Sequence, residues 1–166
     1  MDEIRAARPA DWPGIWEIFR PVVERGDSYP YDPDTTEDEA KALWLASSQT
    51  GPQATYIGIL DGRVAGTYYL KPNQPELGKH VCNAGYMVHP DMRRRGVGRA
   101  LCAHSLEEAK RLGFTAMQYN LVVASNVRAI DLWTEMGFET VGTLTKAFRH
   151  KELGLTDALV MYRQID

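Results

Sequence analysis

A basic, glycine-containing turn at residues 93–99 constrains the fold of this chain more than any other feature. It follows an apolar segment that ends at Val88, and it opens an amphipathic helix that includes Leu101. Gly96 and Gly98 let the backbone approach an anion closely, and the first turn of a helix offers unpaired N–H groups and a positive dipole end. The strand–turn–helix unit is therefore predicted to bind a diphosphate, although a charged helix start without a ligand is the other interpretation.

Two common nucleotide-binding motifs do not fit this turn. The G-x-G-x-x-G motif needs a third glycine where Leu101 stands, and no Lys-Ser/Thr pair follows as a P-loop requires. Backbone N–H groups over residues 94–99 can donate charge-assisted hydrogen bonds to a diphosphate. The arginine side chains can form bidentate phosphate contacts or remain in solvent. The candidate phosphate-binding residues are Arg93, Arg94, Arg95, Gly96, Val97, Gly98 and Arg99.

The pattern R-x-x-G-x-G, formed by Arg93, Gly96 and Gly98, resembles the acyl-CoA loop of the GNAT superfamily of N-acetyltransferases. A second segment, from Asn126 to Phe138, is similar to the signature N-x-x-A-x-x-L-Y-x-x-x-G-F of that superfamily, with tryptophan in the tyrosine position. Two independent motifs in the correct order are much more specific than either alone. Within the superfamily, the chain resembles acetyltransferases of the phosphinothricin and azetidine-2-carboxylate type.

The order of predicted elements favours a single α/β (α+β) domain over residues 1–166. Periodicity and turn signals predict strands at 4–8, 54–60, 64–71, 80–88, 116–123, 139–148 and 155–163. They predict helices from about residue 12 to Gly26, at 37–47, from the glycine turn to Leu112, and at 126–136. Only a partly parallel sheet covered by helices accommodates this order. The resemblance implies a mixed, mostly antiparallel seven-stranded sheet, with helices on both faces and a splay between strands 4 and 5.

Composition disfavours several other classes of protein. The net charge is −3, so the arginine cluster is a local basic spot on an acidic chain, and a nucleic-acid partner is not expected. No run approaches the roughly 20 apolar residues of a membrane span. Cys82 and Cys102 fall in a predicted strand and helix, as buried free thiols do, so we expect a cytoplasmic protein. No histidine has metal-ligand spacing with other donors, and no metal is expected.

The resemblance implies acetyl-CoA as the cofactor and assigns residues to it. The pantetheine arm is expected to pair like an extra strand with Tyr86, Met87 and Val88, which requires no special side chain. Asn126 is placed near the pantetheine, and Ala129 and Trp133 beside the thioester. Asn126 is equally suited to cap its own helix, and both roles can hold together.

The expected reaction is direct attack of a neutral amine on the thioester carbonyl, through a tetrahedral intermediate. Many family members use a tyrosine as proton donor where this chain has Trp133, and an indole N–H is not an acid near neutral pH. Another tyrosine could donate the proton instead, namely Tyr119, Tyr86 or Tyr162. Of these, Tyr119 is our candidate for the proton donor. Alternatively no acid is needed, because a thiolate is a fair leaving group.

Phosphinothricin-type enzymes carry a glutamate where this chain has Asn83, and an amide cannot accept the proton. Either the acceptor amine loses its proton easily or water relays it. Asn83 and Asn120 are expected to face each other across the splay as catalytic or substrate-binding residues, because asparagine within a strand is otherwise unfavourable. Hydrogen bonding to neighbouring backbone is the alternative. Tyr29 and Tyr31, in the loop at 27–32, are expected to bind the acceptor.

The sequence therefore predicts an acetyl-CoA-dependent N-acetyltransferase that acts on a small-molecule amine, such as an amino acid or a close analogue. A peptide or protein N-terminal acetyltransferase and a non-catalytic acyl-CoA-binding sensor are the alternatives. Relatives often form dimers through their C-terminal strands, and the apolar character of residues 155–161 permits a homodimer. The sequence motifs do not specify the acceptor, because the residues that line an acceptor site come from loops that vary.

Overall fold

A computed structural model describes residues 1–45 and 53–165 of the chain. The strands are β1 (Glu3–Ala6), β2 (Ala54–Leu60), β3 (Arg63–Pro72), β4 (Val81–Val88), β5 (Ala116–Val123), β6 (Glu139–His150) and β7 (Gly154–Gln164). The α-helices are α1 (Trp12–Glu24), α2 (Glu37–Leu45), α3 (Val97–Arg111) and α4 (Val127–Glu135). Short 3-10 helices occupy Pro9–Asp11, Glu76–Gly78 and Pro90–Met92. Within the described ranges, no helix combines the length and apolar character that crossing a membrane requires.

All seven strands form one sheet, in the order β1-β2-β3-β4-β5-β7-β6. Each neighbouring pair is antiparallel except β4 and β5, which are parallel. Backbone pairing between β4 and β5 is confined to Val81 with Ala116 and Cys82 with Met117. Beyond these pairs the strands separate, which confirms the predicted fold class and its splay between the fourth and fifth strands.

Two hydrophobic layers cover the sheet, one on each face. On one face, α1 and α2 pack Ile15, Phe19 and Trp44 against the strands. On the other, α3 contributes Leu101 and Leu106 to a separate core. Because successive strand residues point to opposite faces, each residue of β4 contacts one layer or the other.

The predicted element boundaries agree closely with the structure, for local reasons. The β2–β3 turn has positive φ at Asp61 (53°) and Gly62 (72°), as an Asp-Gly hairpin turn requires. The predicted second helix ends at residue 47, but residues 46 and 47 lie outside the described ranges. Strand β6 continues two residues past its predicted end at Phe148, with an irregularity in its pairing to β7 between Leu144 and Phe148.

Candidate active site

A cavity of about 1290 Å³ lies where β4 and β5 separate. One end is lined by the basic turn before α3 and by the start of α4, and the other by the loop that contains Tyr29 and Tyr31. Every residue predicted from the sequence to contact cofactor or acceptor lines this cavity, with the exception of Arg95. The fold therefore brings together residues that are far apart in the chain.

The turn before α3 is shaped for an anion by its backbone. Gly96 is the N-cap of α3 and has a φ of 77°, and Arg94 also has a positive φ, of 63°. No side chain of the described residues caps this end of α3, so its first N–H groups are not bonded by a capping residue. A methyl group added at Gly96 would meet no atom of residues 1–45 and 53–165 within 4 Å. The helix end is thus open to a ligand, and a diphosphate suits its N–H groups and dipole.

Gly98 lies where α3, α4 and the end of β4 meet. A methyl group at this position would lie 3.4 Å from Cδ2 of Leu132 on α4 and 3.8 Å from Cγ2 of Val88, which are ordinary van der Waals distances. The start of α3 and the end of β4 are therefore adjacent at this end of the cavity.

The four arginines of the turn fall into two groups. Arg95 forms an ion pair with Asp61 in the β2–β3 turn, at 2.8 Å, and does not line the cavity. Arg99 pairs with Glu135 on α4. Arg93 and Arg94 are exposed and form no ion pair with any residue in the described part of the chain. These two side chains are the ones available to phosphate without breaking an existing contact.

The backbone of β4 offers an unpaired edge to the cavity. His89 donates its N–H to Ala65 and Val81 accepts from Asn73, so the odd-numbered residues of β4 bond towards β3. In an antiparallel ladder the alternate residues then point the other way, which turns the N–H and C=O groups of Tyr86 and Val88 towards the splay. An extended ligand can pair with these groups as an additional strand.

Tyr29 already uses one of these edge groups. Its hydroxyl donates a 2.7 Å hydrogen bond to the carbonyl oxygen of Tyr86. Burial, with a smaller effect from Tyr69 and Tyr31, holds the pKa of Tyr29 well above its ordinary value, so the phenol stays protonated and can only donate to a carbonyl. Tyr29 thus links the loop after α1 to the edge of β4.

Asn83 lies at the point where β4 and β5 diverge. Its Nδ2 donates to the backbone oxygen of Gln118, at 2.9 Å, and its Oδ1 accepts from the hydroxyl of Tyr69, at 3.2 Å. This side-chain bond follows directly after the last backbone pair, between Cys82 and Met117. Asn83 therefore continues the contact between the two strands by one residue, which corresponds to the backbone-bonded alternative raised from the sequence.

Asn120 lines the same cavity but is exposed and differently bonded. Its Nδ2 donates to Oδ1 of Asn73, at 2.7 Å, and its Oδ1 accepts from Nε2 of Gln118, at 2.9 Å. Asn83 and Asn120 are both present at the cavity, and each is bonded to other residues rather than to the other asparagine. Their roles towards a substrate remain predictions.

Tyr119 and Tyr86 form a buried hydroxyl pair in the wall of the cavity. Their oxygens are 3.0 Å apart, and Tyr86 also lies 2.6 Å from Oγ of Ser105. Burial raises the pKa of both phenols well above the ordinary value, so both remain protonated at neutral pH. The ring of Trp133 is 5.0 Å from each tyrosine ring. The role of Tyr119 as a proton donor remains a prediction, and Tyr162, on β7, does not line the cavity.

Asn126 caps α4, as its position predicted. Its side-chain oxygen accepts from the N–H of Ala129, at 3.3 Å. The side chain also lines the cavity, so the second predicted role, contact with the pantetheine, is compatible with the cap.

Sequence reasoning missed several residues at the acceptor end, among them Tyr69, Lys71 and Asn73. Lys71 pairs with Asn83 in the β3–β4 register, and its ammonium lies 5.1 Å from the centre of the Tyr69 ring. Side chains alternate between the two faces of the sheet along β3, so Tyr69 and Lys71 lie on the same face. With the pairing of β3 and β4 known, this alternation could have placed both residues beside Asn83.

Comparisons with known proteins show the family to which the chain belongs. The family model described as "Acetyltransferase (GNAT) family" matches residues 12–138. The chain is 33% identical over 151 residues to the N-acetyltransferase aca1 of Schizosaccharomyces pombe, covering 83% of this chain and 72% of that protein. It is 35% identical over 74 residues to the [ribosomal protein bS18]-alanine N-acetyltransferase of Escherichia coli, covering 45% of this chain and only 49% of that enzyme.

Solved structures show the same fold. A GCN5-related N-acetyltransferase from Kribbella flavida is 40% identical, with a TM-score of 0.91 and coverage of 98% of this chain and 96% of that one. A phosphinothricin acetyltransferase from Sinorhizobium meliloti, solved in complex with AcCoA, is 21% identical, with a TM-score of 0.85 and coverage of 98% and 88%. The second similarity concerns the fold alone. The chain belongs to the GNAT family of acetyltransferases, whose cosubstrate is acetyl-CoA.

Proposed function

We propose that this protein transfers the acetyl group of acetyl-CoA to the amine of a small acceptor, an amino acid or a close analogue. The observation that carries the proposal is the continuity of one cavity from the open end of α3, past the unpaired edge of β4, to an end lined by tyrosines and carboxamides. Such a cavity can hold a long phosphorylated thioester at one end and a compact amine at the other.

The donor half of the cavity is the part that would hold acetyl-CoA. The N–H groups at the start of α3, with Arg93 and Arg94, bind the diphosphate. The backbone groups of Tyr86 and Val88 bond the pantetheine arm, and Asn126, Ala129 and Trp133 line its other side. Bound acetyl-CoA supplies the activated acyl group.

The acceptor half presents aromatic and amide side chains to the amine. Tyr29 and Tyr31 are stacked, with ring centres 5.6 Å apart, and form an apolar wall. Asn83 and Asn120, with Lys71, supply polar groups opposite that wall. These side chains suit a compact molecule with one apolar face and polar substituents, which is the chemistry of an amino acid.

The proton of the amine leaves through water in this proposal. Asp27 and Glu152 are the carboxylates that line the cavity in the described part of the chain. Asp27 is bonded to Arg25 and accepts from Oγ of Ser28, so it is already engaged. Glu152 is exposed to solvent in the β6–β7 turn, so it is not assigned the role of base. The neutral amine forms the new C–N bond, the C–S bond breaks, and the amine proton passes to solvent. The protein positions the reactants. With Tyr119 as the candidate proton donor, the sulfur leaves as thiol and the phenolate regains a proton from solvent; without a donor, the sulfur leaves as thiolate.

The proposal is tested by measuring thiol release from acetyl-CoA with a panel of amino acids and of short peptides with free N-termini. We expect release with at least one amino acid, accompanied by an acetylated product in the mass spectrum. Tight binding of acetyl-CoA without turnover of any amine would contradict the proposal.

A peptide N-terminal acceptor is the second candidate. It is favoured by the similarity to the bS18-alanine enzyme and by a ribosomal-protein-alanine N-acetyltransferase structure from Brucella melitensis, which is 26% identical with a TM-score of 0.85. A peptide needs an open path away from its first residue, whereas the acceptor end here is bounded by Tyr29, Tyr31 and the β6–β7 turn. Faster turnover of the peptides than of the amino acids would establish this function instead.

We also propose that the protein acts as a cytoplasmic homodimer. Strand β6 is at the sheet edge and is exposed along most of its length, with Val141 59% and Leu155 on β7 53% exposed. A second copy that packs on this edge would cover these exposed apolar side chains. Light scattering that reports a monomer at micromolar concentration would refute the dimer.

A further inference from the structure

The space between the unpaired edge of β4 and strand β5, which we term the acyl slot, is bounded by different contacts on each side. The slot begins at Val88, beside Gly98, and runs back along the edge past Tyr86 towards Asn83. Under the proposed function, the thioester end of acetyl-CoA lies in this slot. Its closing contacts therefore decide how long an acyl chain it can accept.

The inner end of the slot is fixed by a hydrogen bond between strands. Nδ2 of Asn83 bonds the backbone oxygen of Gln118, and Asn83 is 7% exposed. The strands cannot separate further without leaving a buried carbonyl unsatisfied. An acyl chain therefore cannot extend in this direction.

The side of the slot that faces α3 is a packed aromatic wall. Tyr119 stacks on Phe138, with ring centres 4.2 Å apart, and the rings of Tyr86 and Trp133 lie against it. The hydroxyls of Tyr86 and Tyr119 are bonded to each other and to Ser105. Dense packing of this kind resists displacement, so extra methylene groups find no room here.

The remaining side, towards the loop after α1, opens into the acceptor half of the cavity and is narrowed by Tyr29. Its hydroxyl donates to the edge carbonyl of Tyr86, and its ring stacks on Tyr31 and meets the edge of Trp44 at 6.0 Å. Trp44 is fully buried and donates its Nε1 proton to Thr67. The ring of Tyr29 is therefore held from behind by a fixed residue and in front by the β4 edge.

We propose that Tyr29 determines the acyl-chain length that this enzyme accepts, by narrowing the one side of the acyl slot that opens into the acceptor half and is formed by a loop. The proposal rests on the proposed function, because it assumes that an acyl-CoA occupies the slot. The ring admits an acetyl group and excludes the two further methylene groups of a butyryl group. Tyr29 is thus a specificity-determining residue for the donor, although it belongs to the loop that forms the acceptor wall.

The experiment compares the binding of acetyl-CoA and butyryl-CoA by calorimetry, without acceptor, in the full chain and three variants. We expect the unmodified protein to bind acetyl-CoA about tenfold more tightly than butyryl-CoA, because the longer chain must displace a packed ring. In Tyr29→Ala we expect the two dissociation constants to agree within about threefold, because the removed ring leaves apolar space for the chain. Tyr29→Phe retains the ring and is expected to retain a discrimination of at least about fivefold.

Tyr162→Ala is the matched control, since it removes a tyrosine ring from β7, outside the cavity. It should bind both thioesters as the unmodified protein does. Equal binding of the two by the unmodified protein, unchanged discrimination in a folded Tyr29→Ala variant, or complete loss of discrimination in Tyr29→Phe would each overturn the proposal. Failure of the unmodified protein to bind any acyl-CoA would instead overturn the proposed function on which it rests, so the two failures are distinguishable.

Discussion

The donor half and the acceptor half of the cavity are built in different ways. The donor half consists mainly of backbone groups from one continuous stretch, from the edge of β4 through the turn to the first residues of α3. The acceptor half consists of side chains from the loop after α1, from β3, β4 and β5, and from the β6–β7 turn. The first can be recognised from a short motif, whereas the second exists only when distant segments meet.

The two halves also differ in whether their polar groups already have hydrogen-bond or ion-pair partners in the protein. At the donor end, the first N–H groups of α3 have no side-chain cap, and Arg93 and Arg94 have no ion-pair partner in the described residues. At the acceptor end, Asn83, Asn120 and Tyr29 already bond other parts of the protein. Substitutions at the donor end should therefore act mainly on ligand binding, and those at the acceptor end on both binding and stability.

The largest effect is expected for Gly96→Ala. Its φ of 77° disfavours any side chain, so alanine shifts the turn and should weaken CoA binding by about 30-fold in calorimetry. Gly113→Ala is the matched control, because Gly113 follows the other end of α3 with a φ of 84° and also has no atom within 4 Å of an added methyl. Both variants should lose about 1 kcal/mol of unfolding free energy. Equal loss of CoA affinity in both would contradict the assignment of the donor site.

The next prediction concerns pH, which should change the kcat/KM for the acceptor but not the affinity for CoA. If water takes the proton, only the neutral amine reacts, so kcat/KM for the acceptor should rise about tenfold per pH unit below the pKa of the amine and then level off. Burial raises the pKa of Tyr29, Tyr86 and Tyr119, so these phenols stay protonated and no decline is expected up to about pH 9. CoA affinity should stay nearly constant from about pH 7 to 9, because arginine does not titrate there. A fall in kcat/KM below pH 9 would contradict this prediction.

A smaller effect is expected for Asn83→Ala. The change removes the bonds to Gln118 and Tyr69, and should lower the unfolding free energy by about 1–3 kcal/mol. It should raise the KM for the acceptor about fivefold, with CoA affinity within about twofold of the original. Asn120→Ala should cost less than about 1 kcal/mol in the same denaturation measurement, because that amide is exposed to solvent. A larger stability loss for Asn120→Ala than for Asn83→Ala would contradict the structural difference between the two asparagines.

The smallest effects distinguish the arginines of the turn. Arg93→Ala should weaken CoA binding by about threefold, because it removes an available charge near the phosphate-binding N–H groups. Arg95→Ala should change it by less than about twofold, since Arg95 pairs with Asp61 away from the cavity and exposed pairs contribute little. Calorimetry at low ionic strength measures both. Equal losses would show that Arg95 leaves Asp61 to bind phosphate.

Element boundaries were predictable where local chemistry determines them. The Asp61-Gly62 pair specifies a hairpin turn, and Gly113 ends a helix because it adopts a left-handed conformation readily. The irregular end of β6 was not predicted. There Lys146 has a positive φ and donates its backbone N–H to Asp157 on the neighbouring strand, a contact that depends on register rather than on local preference.

The sequence by itself determined the family, through two short motifs, and the order of helices and strands along the chain, through local periodicity. The donor site at the basic turn is a prediction from the same motifs. The tertiary structure decided that Asn83 joins β4 to β5, that Tyr29 bonds the edge of β4, and that Arg95 turns towards Asp61. Each of these contacts joins segments that are separated in the chain by tens of residues. Strand alternation gives the face on which a side chain lies, whereas only the packed sheet and loops give the atom that it meets.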